Sequence, residues 1–238
     1  TVGFRQLSHF ASPKRLTNEP TRLEIFMFRQ LQAASGLLVA AFVAVHLLNT
    51  WLASFGPSVY DGVQRVLRSV YQFAPLEILL LTAIVAHLMI GIGNLWRGPK
   101  RVLNTRARLH RYAGIFLAVV IFGHVLAVRG ASAFYGVFPE FIGLTFSLEM
   151  LPGYFYPYYF LLSVAGFYHA LNGTGIALSR LGIGWHLSES RLKGASFTAV
   201  VLSAAALLAL GGAWTEPGDT SQSAFGQLAL EIIGESPP

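Results

Sequence analysis

Two stretches of the chain repeat one another, and each sets two histidines inside a long apolar run. The first passes from Ser35-Gly36 to His46, then from Pro75 to His87 and on to Gly91-x-Gly93. The second passes from Ala113-Gly114 to His124, then from Pro157 to His169 and on to Gly173-x-Gly175. The offset is 78 residues for Gly36/Gly114 and His46/His124, and 82 for Pro75/Pro157, His87/His169 and Gly91/Gly173. The difference falls in one connecting loop, so register is kept within each run. A fold that accepts this pattern must place matched histidines twice, in elements that are otherwise apolar.

The apolar runs set the fold class. Of the 238 residues, 54% are hydrophobic and 12% charged, about half the charge fraction of a soluble domain. Runs near twenty residues cross a hydrocarbon layer about 30 Å thick. Five occur, at about 31–52, 75–96, 110–129, 154–179 and 195–213. The expected fold is an all-α membrane protein of five transmembrane helices. Spans one and two recur as spans three and four in the same orientation. That implies a four-helix bundle about a pseudo-twofold axis along the membrane normal, with span five outside it. Three segments follow: a polar inner-side stretch over 1–30, the membrane domain over 31–213, and a polar, acidic outer-side tail over 214–238. Tyr60 to Tyr71 and Phe225 to Ile233 read as short amphipathic helices. The aromatic, Gly-rich loop 130–153 reads as interfacial.

Basic residues orient the bundle. The N-terminal segment carries five, the loop after span two carries six with Arg111 included, and the loop after span four carries three. Only Arg65, Arg68 and Arg129 fall on the other side. The positive-inside bias therefore puts the N-terminus inside and the C-terminus outside. The same placement turns the net charge of +6 away from nucleic acid and toward a lipid surface. The chain begins without Met, as a mature chain does after loss of a presequence, and residues 1–24 hold no signal-peptide core. There is no cysteine. Disulfides, thiolate metal sites, iron–sulfur clusters and covalent c-type haem attachment are thus excluded.

An ionisable ring inside a bilayer is costly without a partner, which makes each histidine a functional candidate. The plainer alternative is a core histidine bonded to a nearby carbonyl. Depth favours the first. At about 1.5 Å per residue, His46 and His124 lie roughly 24 and 21 Å from the inner edge, and His87 and His169 roughly 15 Å. The pairs matched in depth, His46 with His124 and His87 with His169, also face each other across the pseudo-axis. Two neutral imidazoles at one level on opposing helices suit a bis-histidine haem iron, whereas zinc wants three or four ligands at one point. On these boundaries the two levels are only about 6–9 Å apart. Gly91, Gly173 and Gly123 lie beside the ligands and leave room for a porphyrin, or else serve close helix packing. Arg29, Arg97, Arg108 and Arg111, with His110, gather at the inner ends of spans one to three. There they would pair with haem propionates or simply express the inside bias. Glu77 sits where a helix N-terminus favours its charge. Ser35, Asn49, Thr50 and Gln72 could offer hydrogen bonds to a quinone.

Ser35-Gly36 before His46, Gly114 before His124, then His87 and His169, on five spans, resembles the cytochrome b membrane-anchor subunit of succinate dehydrogenase and fumarate reductase in its five-helix, two-haem form. The resemblance covers residues 30–180. It implies one or two b haems ligated by His46, His124, His87 and His169, the outer held by spans one and three and the inner by spans two and four. It also implies iron–sulfur and flavoprotein subunits, other membrane subunits, and ubiquinone or menaquinone as the electron partner. The chain alone would carry no dehydrogenase chemistry. Tyr71-Gln72 to Pro75-Leu76-Glu77, with His87 and Gly91, also resembles a related mitochondrial membrane adapter family. That leaves a non-catalytic haem-binding or structural subunit as the alternative, with the mitochondrial inner membrane expected over a bacterial plasma membrane. A transmembrane ferric or ascorbate-linked cytochrome is a third reading, and such proteins usually have six spans. The chain departs from the resembled pattern in two places. Ala33 replaces the arginine of the shorter one-haem anchors. Phe167 stands where some two-haem members carry a glutamate.

Overall fold

The computed structural model describes residues 21–97, 103–185 and 187–235. The N-terminal segment up to residue 20, Lys100 and Arg101 of the basic loop, and the side chain of Arg97 lie outside them. The described residues are helical, without strands. Five long helices make the bundle: α1 (Arg22–Leu52), α3 (Ala74–Arg97), α4 (Thr105–Val125), α7 (Pro152–Arg180) and α8 (Glu189–Leu210). Four shorter ones cap its outer end: α2 (Pro57–Tyr71), α5 (Ala131–Tyr135), α6 (Phe141–Met150) and α9 (Ala224–Ile233).

Three of the five long helices, α1, α4 and α8, start where the sequence supplies a side-chain acceptor for their free N–H groups. Thr21 and Glu24 form a reciprocal capping box on α1. Asn104 accepts from the Ala107 N–H at 2.8 Å on α4, and Ser188 caps α8. α1 therefore begins at Arg22, not near residue 31: the capped, mixed-polarity turns 22–30 continue the helix below the apolar run. α4 also outruns its apolar limits. It passes without a break through a π-helical segment, Leu126–Gly130, into α5.

The helices α1, α3, α4 with α5, and α8 are long and apolar enough to cross a membrane. α7 has 29 residues, enough in length, but its tyrosines, Asn172 and Thr174 dilute its apolar character. It lies among α1, α4 and α8, and polar side chains inside a bundle bond to neighbouring helices. Pro75 falls in the first turn of α3, where a missing N–H costs nothing. Its counterpart Pro157 is interior to α7, because α7 starts earlier, at Pro152.

α1 packs on α3 and α7, and α7 packs on α4. The facing histidines set α1 opposite α4 and α3 opposite α7. α8 closes the far side of α1 and α7, held by Trp51 Nε1–H donating to Ser203 Oγ at 3.1 Å and by Ser163 and Ser203 hydroxyls 2.7 Å apart.

Residues 141–150 are helical where a loop is expected. They form α6, which is buried: Phe141 and Leu148 are each 1% exposed. The amide of Phe141 donates to Asp61 of α2 at 2.9 Å, and Thr145 Oγ1 donates to the Leu210 carbonyl at 2.8 Å. Gly143 lets Phe225 of α9 approach so closely that a Cβ there would stand 2.9 Å from the Phe225 Cβ. The outer cap is thus α2, α6 and α9 folded onto the ends of α7 and α8.

Burial raises the Asp61 carboxyl above the usual carboxylate range, though the Phe141 amide pulls it down, Glu140 adds to the rise and Arg65 and Arg68 oppose it. A raised acid binds its proton more tightly in the folded state. Its contribution is then largest at low pH and is lost as pH rises from the ordinary value of 3.8 through the folded one. Asp61→Asn is expected to flatten that part of the stability–pH curve, measured by thermal unfolding in detergent between pH 3.5 and 7. An unchanged curve would remove Asp61 from the account.

Candidate functional site

Two pairs of imidazoles lie in the bundle, each across a diagonal. The rings of His46 (α1) and His124 (α4) have centroids 6.2 Å apart with planes at 69°. Those of His87 (α3) and His169 (α7) are also 6.2 Å apart, at 82°. Two imidazoles sharing one ion, with metal–nitrogen bonds of about 2 Å, need ring centres roughly 6 Å apart. Direct ring stacking would bring them nearer, and His110 on His169 shows it, at 4.1 Å and 4°.

The inner rings are oriented by main chain. His87 Nδ1 is 3.3 Å from the carbonyl of Gln32, and His169 Nδ1 is 3.2 Å from the carbonyl of His110. Gln32 and His110 lie 78 residues apart, so the repeat extends to this contact. A carbonyl can only accept, so each Nδ1 carries the proton and donates it, leaving Nε2 with a free lone pair for a ligand. Gly36 and Gly114 make these positions possible. A Cβ at either would sit 2.8 Å from the Cε1 of His87 or His169. Side chains 32 and 110 lie over Gly91 and Gly173, the nearest atoms of a built Cβ being Gln32 Nε2 at 3.8 Å and His110 Cε1 at 3.3 Å. Those two glycines thus accept a neighbouring side chain. Gly123, beside His124, has nothing within 4 Å of a built Cβ.

The levels are farther apart than the span limits implied. Ten residues of helix separate Gly36 from His46, and ten separate Gly114 from His124, so the inner and outer rings differ by about 15 Å along both helices. Spans estimated from apolarity alone had misplaced the ends of α1 and α4, and the depths with them. A separation of about 15 Å puts the two pairs at distinct levels.

The outer pair borders a cavity of about 260 Å³. Its flanks are apolar, with Leu80, Ile84, Leu117 and Ile121, and one end is polar, with Gln64, Arg68, Tyr71, Glu77 and Arg129. Phe42 stacks on His46 at 5.6 Å and 11°. A mostly apolar concavity with a few convergent polar groups is the usual form of a cofactor site. Among the described residues no group of three or more His, Asp or Glu gathers round one point. Two opposed imidazoles beside an apolar slot fit a haem by donor set.

Arg29, Arg108 and Arg111 are exposed, and among the described residues none makes a hydrogen bond or ion pair. The cations built into the inner end are Arg180, which donates to Gln32 Oε1 at 3.2 Å, and Arg106, which donates to Asn172 Oδ1 at 2.6 Å and the Leu187 carbonyl at 2.8 Å. Spacing hid Arg180, since it closes α7 and reaches a residue of α1. At the outer end Arg129 pairs with Glu77 at two points. Of the polar residues considered for a quinone, Ser35 donates to the Gln32 carbonyl, Asn49 Nδ2 to Gln64 and Thr50 to the His46 carbonyl, Gln72 lines the outer cavity, and the buried Asn49 Oδ1 has no partner among the described residues.

Fold and site together define a multi-pass helical membrane protein with two imidazole levels. Residues 104–209, from the N-cap of α4 to the last turn of α8, match the family described as succinate dehydrogenase/fumarate reductase transmembrane subunit. That stretch takes in His124 and His169. No curated protein and no solved structure matches the chain.

Proposed function

We propose that the chain is the haem b membrane anchor of a succinate dehydrogenase/fumarate reductase-type complex, serving electron passage between an iron–sulfur subunit and a quinone. The observation that carries this is the equal 6.2 Å spacing of two imidazole pairs related by one internal repeat. When bound, haem b supplies a one-electron couple. The protein's part is to hold the rings: His87 and His169 through carbonyls 32 and 110, and His46 and His124 through the walls of the outer cavity. The basic inner ends of the helices suit docking of the iron–sulfur and flavoprotein subunits. Orientation follows the inside bias, with the N-terminal side facing the matrix or cytoplasm, in a mitochondrial inner or bacterial plasma membrane.

The test is the reduced-minus-oxidised spectrum of the chain purified in mild detergent. Two b haems per chain are expected. Replacing His87 and His169 by alanine should abolish one component and leave the other, and replacing His46 and His124 should do the converse. A wild-type chain without a b-type band, or one whose spectrum survives all four substitutions, would refute the reading. Co-purification of flavin and iron–sulfur centres tests the complex.

A further inference from the structure

The polar end of the outer cavity is unexplained by two imidazoles. Arg68 of α2 has a side chain only 13% exposed, and it lines the cavity. Its nearest carboxylate is Glu140, at 3.8 Å and itself 41% exposed. Its guanidinium lies over the Phe138 ring, 4.1 Å from the centroid. Among the described residues it donates no hydrogen bond. A nearly buried guanidinium without an acceptor is unfavourable, so an acceptor belongs in the cavity.

Arg129 reaches the same space through the backbone. A π turn takes five residues where an α turn takes four. The π segment after His124 therefore swings Arg129 back toward the face that carries the histidine. Glu77 meets it there from α3, and Ser132 Oγ lies 3.1 Å from its Nη1. The cavity end thus holds two guanidinium groups and one closely paired carboxylate.

We propose that Arg68 and Arg129 bind the two propionate carboxylates of the haem held between His46 and His124, so that its acidic edge faces α2 and the outer surface. This rests on the haem reading of that pair. Arg68 offers a guanidinium with no hydrogen-bonded acceptor and Arg129 a second one already paired with Glu77, bidentate geometry is what arginine offers a carboxylate, and the apolar flanks receive the rest of a porphyrin. The inner-end cations, a bundle's depth away, cannot serve this level.

The experiment is a redox titration of the chain purified from membranes in detergent with its accompanying subunits. The outer component is the one lost in His124→Ala. Removing a positive charge beside a group that gains an electron disfavours its reduced form. Arg68→Gln and Arg129→Gln should each shift the outer component's oxidised-to-reduced ratio about tenfold toward oxidised, a fall of 59 mV for one electron. The inner component should stay within about twofold. Arg65→Gln, on the exposed face of α2, serves as control. Arg68→Lys should recover most of the shift, which a merely structural role would not predict. An unmoved outer component, an equal shift in Arg65→Gln, or a shift confined to the inner component overturns the assignment while leaving haem binding intact. Absence of any b-type band in the wild type overturns it together with the reading beneath it.

Discussion

Leucine at Gly36 or Gly114 is expected to expel the ring that faces it and empty the inner level. The Cβ alone would stand 2.8 Å from Cε1 of His87 or His169, and the rest of the side chain would occupy the ring's own volume. Overpacking of this kind costs about 1–3 kcal/mol. Disturbing the support of a metal-binding imidazole costs about 10–100-fold in affinity. Each variant should therefore lose the spectral component that depends on His87 and His169, keep the outer one, and melt earlier. Gly93→Leu is the control, since nothing lies within 4 Å of a Cβ built there. Haem-to-protein ratio and thermal unfolding in detergent read both effects. If Gly114→Leu kept both components at full stoichiometry, the close approach would be incidental.

The second large effect is expected at Asn172. It is 2% exposed, and its Oδ1 accepts from the Arg106 guanidinium at 2.6 Å. Arg106 also donates to the Leu187 carbonyl, and its own carbonyl lies 3.3 Å from Tyr168 Oη. The cluster joins α4, α7 and the segment leading into α8. Asn172→Leu keeps the branched shape and removes the acceptor, leaving a partly buried charge short of a bond. A hydrogen bond to a charged group is worth about 1.5–3 kcal/mol. For a chain of this size that lowers Tm by roughly 3–12 °C. Adding Arg106→Met should recover part of the loss, because the unpaired charge goes with it. A double variant no more stable than Asn172→Leu would mean that packing, not the bond, is what Asn172 supplies.

The helical membrane fold was legible in the apolar runs, because length and polarity are properties of a segment by itself. Helix ends were less so. Thr21 extends α1 below its apolar part, and no break in hydropathy marks that turn. This shifted the depths and compressed two levels about 15 Å apart into a smaller interval. α6 is not distinguished in the sequence because ten mostly apolar residues look alike on an interface and inside a cap. The repeated histidines could be paired by offset alone. What surrounds them could not be read so directly. Arg129 stands five residues after His124, off its face in a regular α-helix, and only the π turn turns it inward. Arg180 and Gln32 meet across 148 residues. The carbonyls that hold His87 and His169 leave no trace in residue identity at all.

That last feature bears on how such a chain can drift. A ligand ring positioned by a side chain is lost when that side chain mutates. Here positions 32 and 110 contribute their backbone oxygens, which every residue type possesses, and the two halves hold a glutamine and a histidine at equivalent places while gripping their rings alike. Variation at these positions is therefore cheap for ligand geometry and free to alter what lies around it. The fragile positions are the glycines opposite, where no side chain but hydrogen leaves the ring its room.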